Sequence, residues 1–262
     1  MPWLSALQRA RKRFGQHFLA DPAVVDAIVA ALSPRQDDRL VEIGPGRGVL
    51  TGALAASEAR VTAVELDRDL IGPLRRRLPD VTVVEGDALT VDLAALTAGA
   101  PTRIVGNLPY NISTPLLNRL FDACAAGLPL VDMHFMLQAE VVERLCAAPG
   151  SKAWGRLSVI AQYHCDVEAL FTVPPDAFVP PPRVLSRFAR LTPRPPDPAA
   201  DEVEALRTVL RVAFGARRKR LGNAVQSLGL DVAALGLDPG TRPDAVGLGG
   251  FVAMANQLTR SG

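Results

Sequence analysis

The chain has 262 residues, 48% of them hydrophobic and 21% charged, which excludes a wholly disordered polymer and sets the scale of one large domain, alone or with a small companion. No window approaches the ~18 uncharged apolar residues of a membrane span, and three scattered cysteines, Cys124, Cys146 and Cys165, with no Cys-x-x-Cys pair, exclude a disulfide framework and argue against a zinc cage. Basic residues outnumber acidic ones only 29 to 27, so the protein is not polybasic overall, and its cysteine usage implies a reducing, cytosolic compartment.

Asp21-Pro22 reads as a helix N-cap followed by proline at the first helical position, and Val24, Val25, Ile28, Val29 and Leu32 carry the helical repeat onward. Residues 39–43 form a short apolar strand ending in glycines, followed by a helical stretch to about Ala56. Strands are expected at 61–66, 81–84, 104–105 and 131–137, and helices at 68–78, from Ser113 or Thr114 through Phe121, and at 139–146. This alternation implies a parallel sheet covered on both faces. Residues 157–162 and 184–191 are expected as later strands closing one edge. Thr192 to Pro198 contains four prolines in seven residues, which removes donors and fixes φ, so it reads as a linker. Beyond it strand signals vanish, and 202–212, 219–228 and 249–258 look helical. The expected organisation is an α/β domain over residues 1–191, a Pro-rich linker over 192–200 and a small all-helical domain over 201–262.

Charge is concentrated. Residues 1–20 carry Arg9, Arg11, Lys12 and Arg13. Residues 177–196 carry Arg183, Arg187, Arg190 and Arg194. Residues 205–230 carry Arg207, Arg211, Arg217, Arg218, Lys219 and Arg220, and none of the three blocks contains an acid. Basic blocks on an otherwise acidic chain are the footprint of a polyanion binder, although unrelated solvated faces produce the same pattern. An Arg-rich, acid-poor start also suits a transit peptide, but this one runs directly into the distinctive Phe14-Gly15-Gln16-His17-Phe18-Leu19.

Gly44-Pro45-Gly46-Arg47-Gly48 is a Gly-rich turn between a strand and a helix. A dinucleotide fingerprint would have glycine where Val49 stands, and a P-loop would have Gly-Lys-Ser/Thr, so phosphate cradling is disfavoured. The spacing says more. Glu65 follows Gly44 by 21 residues, Asp87 follows Glu65 by 22, and Asn107 follows Asp87 by 20. Each ends a successive strand, and open parallel sheets bind ligands outside those ends. An acid ending the second strand can accept from both hydroxyls of a ribose, and Asp87 can accept from an adenine amine.

Asn107-Leu108-Pro109-Tyr110 has a mechanical reading. An aromatic amine is a poor nucleophile because its lone pair is delocalised into the ring. The Asn107 amide oxygen and the Leu108 carbonyl, aimed at its protons, would draw the nitrogen toward tetrahedral geometry. Pro109 stiffens the turn and Tyr110 can stack on the base. Catalysis of this kind is positioning plus electrostatics. His134 and His164 lie in apolar runs and read as core or surface histidines, Met133 and Met136 as strand packing, and the cysteines as small buried hydrophobes.

With these motifs in place, the sequence resembles the KsgA/RsmA-type rRNA adenine N6,N6-dimethyltransferase family over nearly its whole length. The resemblance is carried by residues 14–19, by Glu42 to Thr51, by Val105 to Leu116, by Gly155-Arg156-Leu157-Ser158-Val159 and by Pro175 to Val184. It implies a Rossmann-like S-adenosylmethionine-dependent methyltransferase sheet. Gln16, His17 and Leu19 would close over the methyl donor, Gly44 and Gly46 would contact its methionine part, Glu65 its ribose, and Asp87 with Ala88 its adenine, with Leu66 also in the donor site. Asn107 would meet both donor and target, with Tyr110 and Phe178 sandwiching the target adenine. Arg11, Lys12, Arg13, Arg183, Arg217, Arg218, Lys219 and Arg220 become the candidate RNA contacts. The implied reaction dimethylates two adjacent adenosines of 16S rRNA within the immature 30S subunit, performed by a cytoplasmic monomer without metal or membrane, and releases S-adenosylhomocysteine. Three other readings stay open: a methylase of large-subunit rRNA, a DNA adenine methylase, and an assembly factor that kept the fold without catalysis.

Overall fold

The computed structural model describes residues 16–261. The chain runs through β1 (Phe18–Leu19), α1 (Pro22–Leu32), β2 (Arg39–Ile43), α2 (Val49–Ala55), β3 (Arg60–Glu65), α3 (Arg68–Arg77), β4 (Thr82–Glu85), α4 (Leu93–Thr97), β5 (Thr102–Asn107), α5 (Ser113–Ala125) and β6 (Leu130–Gln138). Then follow α6 (Ala139–Leu145), α7 (Arg156–His164), β7 (Cys165–Val173), β8 (Phe178–Val179), β9 (Ser186–Pro193), α8 (Val203–Gly215), α9 (Leu221–Ala224) and α10 (Leu248–Ser261).

Local chemistry starts the helices that flank the sheet. The Asp21 side chain accepts from the Ala23 amide and Pro22 sits in the first turn of α1, where its missing N–H costs nothing. Asp67 caps α3 in the same way, accepting from Asp69 N. Such caps contribute about 1 kcal/mol each.

Among the described residues the main sheet has seven strands in the order β4-β3-β2-β5-β6-β9-β7. Strands β4 to β6 of this order are parallel, and β9 lies antiparallel to β6. The chain leaves β2 toward β3 on one side and returns to β5 on the other. That reversal opens a crevice outside the carboxyl ends of β2 and β5. Gly106 belongs to this junction: a Cβ there would lie 2.6 Å from the Ile43 carbonyl oxygen. A separate two-stranded pairing joins β1 to β8, with Phe18 opposite Val179 and Leu19 opposite Phe178.

Two compact units result. The first ends at Ala139 and resumes over Ala169–Leu191. Its core includes Ile28, Leu40, Leu54, Ala63, Leu74 and Val105, drawn from the sheet and the helices beside it. The second takes Glu140–Glu168 and the chain from Thr192 on, so it recruits a segment that the sequence reading placed with the first. Within this unit the Trp154 ring is 1% exposed and its Nε1 donates to the Val246 carbonyl at 2.9 Å. The rings of Phe214 on α8 and Phe251 on α10 lie 5.3 Å apart.

The strand expected at 157–162 is helix α7 instead. Its N-terminus is held by the Gly155 amide donating to Ser158 Oγ at 3.0 Å, and Ser158, Val159, Ile160, Ala161, Tyr163 and His164 are all buried. A helix buried nearly all round carries no polar stripe, so its short apolar stretch around Val159-Ile160 imitated a strand. The helix expected over 219–228 is reduced to the single turn α9 and a 3-10 turn at Gln226–Leu228. Cysteine burial is also uneven: Cys165 is buried, whereas Cys146 is exposed.

Candidate active site

Gly44 follows β2, Glu65 closes β3, Asp87 lies just beyond β4 and Asn107 closes β5. One cleft is lined by all four, together with Gln16, His17 and Leu19, Gly46, Leu66 and Ala88, and the rest of the tetrapeptide, Leu108, Pro109 and Tyr110.

The Gly-rich turn is shaped by its neighbours. Gly46 has φ 56°, in the left-handed region that favours glycine, and a Cβ on it would stand 2.8 Å from the Phe18 ring. Phe18 therefore packs on the loop, and the Arg47 guanidinium lies 4.8 Å from the centre of its ring. Glu65 latches the same loop. Its Oε2 accepts from Gly46 N at 3.0 Å and its Oε1 from Asp67 N at 2.8 Å. A carboxylate offers about four acceptor sites, so both oxygens retain capacity for hydroxyls. Burial raises the Glu65 pKa, opposed by the amides of Asp67 and Gly46. Glu42, 2% exposed behind the loop, is pushed up to about 7 by burial, with the neighbouring Glu65 adding to it. On the far side, Asp87 Oδ1 accepts from Leu89 N at 2.9 Å. Arg119 on α5 ties down the turn, donating to the Ala88 carbonyl at 2.7 Å and also to Val91 O.

At the tetrapeptide, Asn107 Nδ2 donates to the His17 carbonyl at 2.7 Å, which leaves Oδ1 as the free acceptor end of the amide. Leu108 is buried and its amide donates to Met136 O at 3.2 Å. Among the described residues no hydrogen bond reaches Asn107 Oδ1 or the Leu108 carbonyl. The Tyr110 hydroxyl is 2.8 Å from Ser186 Oγ, and burial raises its pKa, so it stays protonated at neutral pH.

The two aromatic residues expected to sandwich a base are placed differently. Tyr110 lines the cleft, but Phe178 is 2% exposed, packs in the core and does not line it. The residue beside Tyr110 is His17, with ring centroids 5.6 Å apart and planes at 32°. His17 Nδ1 donates to the Pro180 carbonyl at 2.7 Å, a bond made possible by the β1–β8 pairing.

The candidate RNA contacts separate as well. Arg11, Lys12 and Arg13 lie outside the described residues, as does Trp3. Arg183, Arg218, Lys219 and Arg220 are exposed. Arg217 is engaged: it pairs with Asp244 at 3.3 Å and donates to the Lys152 carbonyl at 2.8 Å. Sequence reasoning missed Phe18, Arg119 and Ser186 as parts of the site. Phe18 lay inside a motif already singled out, whereas Arg119 and Ser186 carry no local signal.

A model of the ribosomal RNA adenine dimethylase family matches residues 7–237. The chain is 50% identical over 264 residues to the ribosomal RNA small subunit methyltransferase A of Chromohalobacter salexigens, covering 97% of this chain and 93% of that one. It is also 50% identical over 254 residues to the protein of the same name from Methylococcus capsulatus, covering 95% and 97%. Among solved structures, a dimethyladenosine transferase from Plasmodium falciparum superposes with TM-score 0.76 at 22% identity, covering 93% of this chain and 98% of that one. The 23S rRNA methyltransferase ErmE does so with TM-score 0.70 at 24% identity, covering 92% and 99%.

Fold and cleft together define a Rossmann-like S-adenosylmethionine-dependent methyltransferase. Carboxyl side chains lining the cleft are Glu42, Glu65, Asp67 and Asp87 against the guanidinium of Arg47 alone, a set that, even with Glu42 held neutral below about pH 7, disfavours a pyrophosphate and suits a ligand bearing a sulfonium and an ammonium. More narrowly, the chain belongs to the ribosomal RNA adenine dimethylase family. Among the described residues no helix is long and apolar enough to cross a membrane, and no group of three or more His, Cys, Asp or Glu side chains is placed to hold a metal ion.

Proposed function

We propose that the protein dimethylates the N6 amines of two adjacent adenosines in the 3′-terminal hairpin of 16S rRNA, acting as a cytoplasmic monomer on the immature 30S subunit. The observation that carries this reading is the pair of unengaged acceptors, Asn107 Oδ1 and the Leu108 carbonyl, on two residues that line the acidic cleft. S-adenosylmethionine supplies an electrophilic methyl carbon and becomes S-adenosylhomocysteine. Gly44 and Gly46 would face its methionine part, Glu65 its ribose hydroxyls, and Leu66, Asp87 and Ala88 its adenine, with Gln16, His17 and Leu19 covering it.

The two acceptors hold the hydrogens of the target amine out of the ring plane, so that its lone pair is no longer spent on the ring. Pro109 fixes the turn that sets their spacing. Tyr110 supplies the face on which the base lies, held at its hydroxyl by Ser186. No strong base is called for, because the nitrogen becomes acidic once alkylated and sheds its proton to water. Phe178, paired with Leu19 and buried in the core, would meet the base only after that pairing shifts. Arg11, Lys12, Arg13, Arg183, Arg218, Lys219 and Arg220 would contact phosphates.

The small-subunit target is favoured over a large-subunit one by the 50% identity to proteins named for the former against 24% to ErmE. The deciding experiment incubates the protein with labelled methyl donor and either unmethylated 30S or 50S particles, then maps modified adenosines by primer extension. Label confined to two adjacent adenosines near the 16S 3′ end is expected. Label in 23S rRNA, or none in either, overturns the reading.

A further inference from the structure

Among the described residues five large hydrophobic side chains are exposed, and three of them, Val179 (45%), Val184 (44%) and Leu185 (50%), fall in one seven-residue stretch. A fourth, Leu66, is already accounted for in the donor cleft. The stretch is tied down at both ends to the catalytic machinery. At its start, Val179 pairs with Phe18 and the Pro180 carbonyl accepts from His17. At its end, Ser186 Oγ meets the Tyr110 hydroxyl and the Leu185 carbonyl accepts from Ala139 N at 2.9 Å. Exposed Arg183 stands immediately before the Val184-Leu185 pair.

Apolar side chains on a well-anchored segment, kept in water next to a reaction site, match a partner that brings its own flat apolar surface there. A nucleic acid does so once the reacting base is turned out of its stack. An enzyme that works on a ring amine must take the base out of the helix, which strips one face of each neighbouring base. Aliphatic side chains serve as wedges or caps at such steps, and an adjacent arginine matches the phosphate that must accompany them.

We propose that Val184 and Leu185 form an apolar cap for the rRNA base left unstacked beside the target adenine, with Arg183 on the flanking phosphate. This rests on the rRNA methyltransferase reading above. A second copy of the chain is the alternative occupant, and the charge of Arg183 favours RNA.

The test compares wild type with the Val184→Ser/Leu185→Ser double variant in the full chain. Binding to unmethylated 30S particles is expected to weaken about ten-fold, with S-adenosylhomocysteine affinity, thermal midpoint and monomeric state unchanged. Equal particle affinity in the two proteins would overturn the cap. In a second measurement, a photoreactive benzoylphenylalanine replaces Leu185 and the crosslink to 30S particles is mapped. A crosslink within one or two nucleotides of the methylated adenosines is expected. A crosslink to a second copy, to a ribosomal protein or to distant rRNA, or none at all, would overturn it. If wild type methylates no 30S adenosine, it is the parent reading that has failed.

Discussion

The Asn107 carboxamide and the His17 carbonyl, 90 residues apart in the chain, share a 2.7 Å hydrogen bond. An amide has a donor end and an acceptor end, and this bond commits the donor end to the protein. Oδ1 is thereby oriented before any substrate arrives. The His17 carbonyl is in turn steadied by its own imidazole on Pro180 O, so the N-terminal motif helps to set the Asn107 amide.

Asn107→Ala should lower methyl transfer by about 10²–10³, the scale of removing one positioned electrostatic interaction, while the fold is retained. Single-turnover transfer with labelled donor measures it. Turnover near wild type would contradict the acceptor role.

His17→Ala should act more gently. The carbonyl that receives Asn107 Nδ2 belongs to the backbone and survives, but its anchor on Pro180 is gone. Donor affinity should fall by about 1 kcal/mol, one net hydrogen bond, with a smaller loss of turnover than in Asn107→Ala. An equal or greater loss of turnover would show that the imidazole itself takes part in the reaction.

Glu65→Ala should weaken S-adenosylmethionine binding by about 1–3 kcal/mol. It should also lower the thermal midpoint of the ligand-free protein, because Gly46 N and Asp67 N lose their acceptor. Calorimetry with unchanged affinity would remove Glu65 from the donor site. A changed affinity with an unchanged midpoint would remove the latch.

Glu42 makes stability depend on pH. Its pKa in the folded chain, about 7, lies above the ordinary value of 4.5, so between these values the native state binds more protons than the unfolded one. Stability contributed by the neutral carboxyl is complete below about pH 4.5 and declines as the pH rises to about 7. Glu42→Gln stays neutral throughout. Relative to wild type it should gain up to about 3 kcal/mol between pH 4 and pH 8, read from denaturant unfolding. Parallel profiles for the two proteins would mean that Glu42 is charged in the fold.

The basic block after Ala216 should divide. Replacing Arg218, Lys219 and Arg220 by Ala should weaken 30S binding and flatten its salt dependence by up to about 0.9 for each duplex phosphate that is no longer neutralised, with donor affinity unchanged. Arg217→Ala should instead lower thermal stability, since it breaks the bonds to Asp244 and Lys152. Identical behaviour of the two variants in both measurements would refute the division.

The convergence of Gly44, Glu65, Asp87 and Asn107 on one cleft was readable in the chain because each sits at the end of a strand. The spacing of 20 to 22 residues from Gly44 through Glu65 and Asp87 to Asn107 is the length of one strand–helix repeat, so periodic sequence translates directly into a shared edge. The place of Asn107 to Tyr110 was readable for a similar reason, since the four residues run on directly from the end of one strand.

The rest depended on segments far apart in the chain. Helix α7 hid because burial on nearly every side removed the polar stripe by which a helix is recognised. Arg217 reads as a free cation until the backbone carbonyls of residues 151 and 152 and the Asp244 carboxylate are folded around it. Phe178 reads as a stacking face until its strand pairs with Leu19 and turns the ring into the core.

By itself, the sequence determined the strand–helix alternation, the order of polar residues along the sheet edge and the place of the tetrapeptide at the end of a strand, because these follow from local propensity and short-range spacing. Only the tertiary structure decided which end of the Asn107 amide is bound to the His17 carbonyl, that Glu65 holds the Gly-rich loop, and that His17 rather than Phe178 stands beside Tyr110. Each of these is a hydrogen bond or packing contact between residues brought together only when the chain closes, and no pattern within a single stretch records the partner.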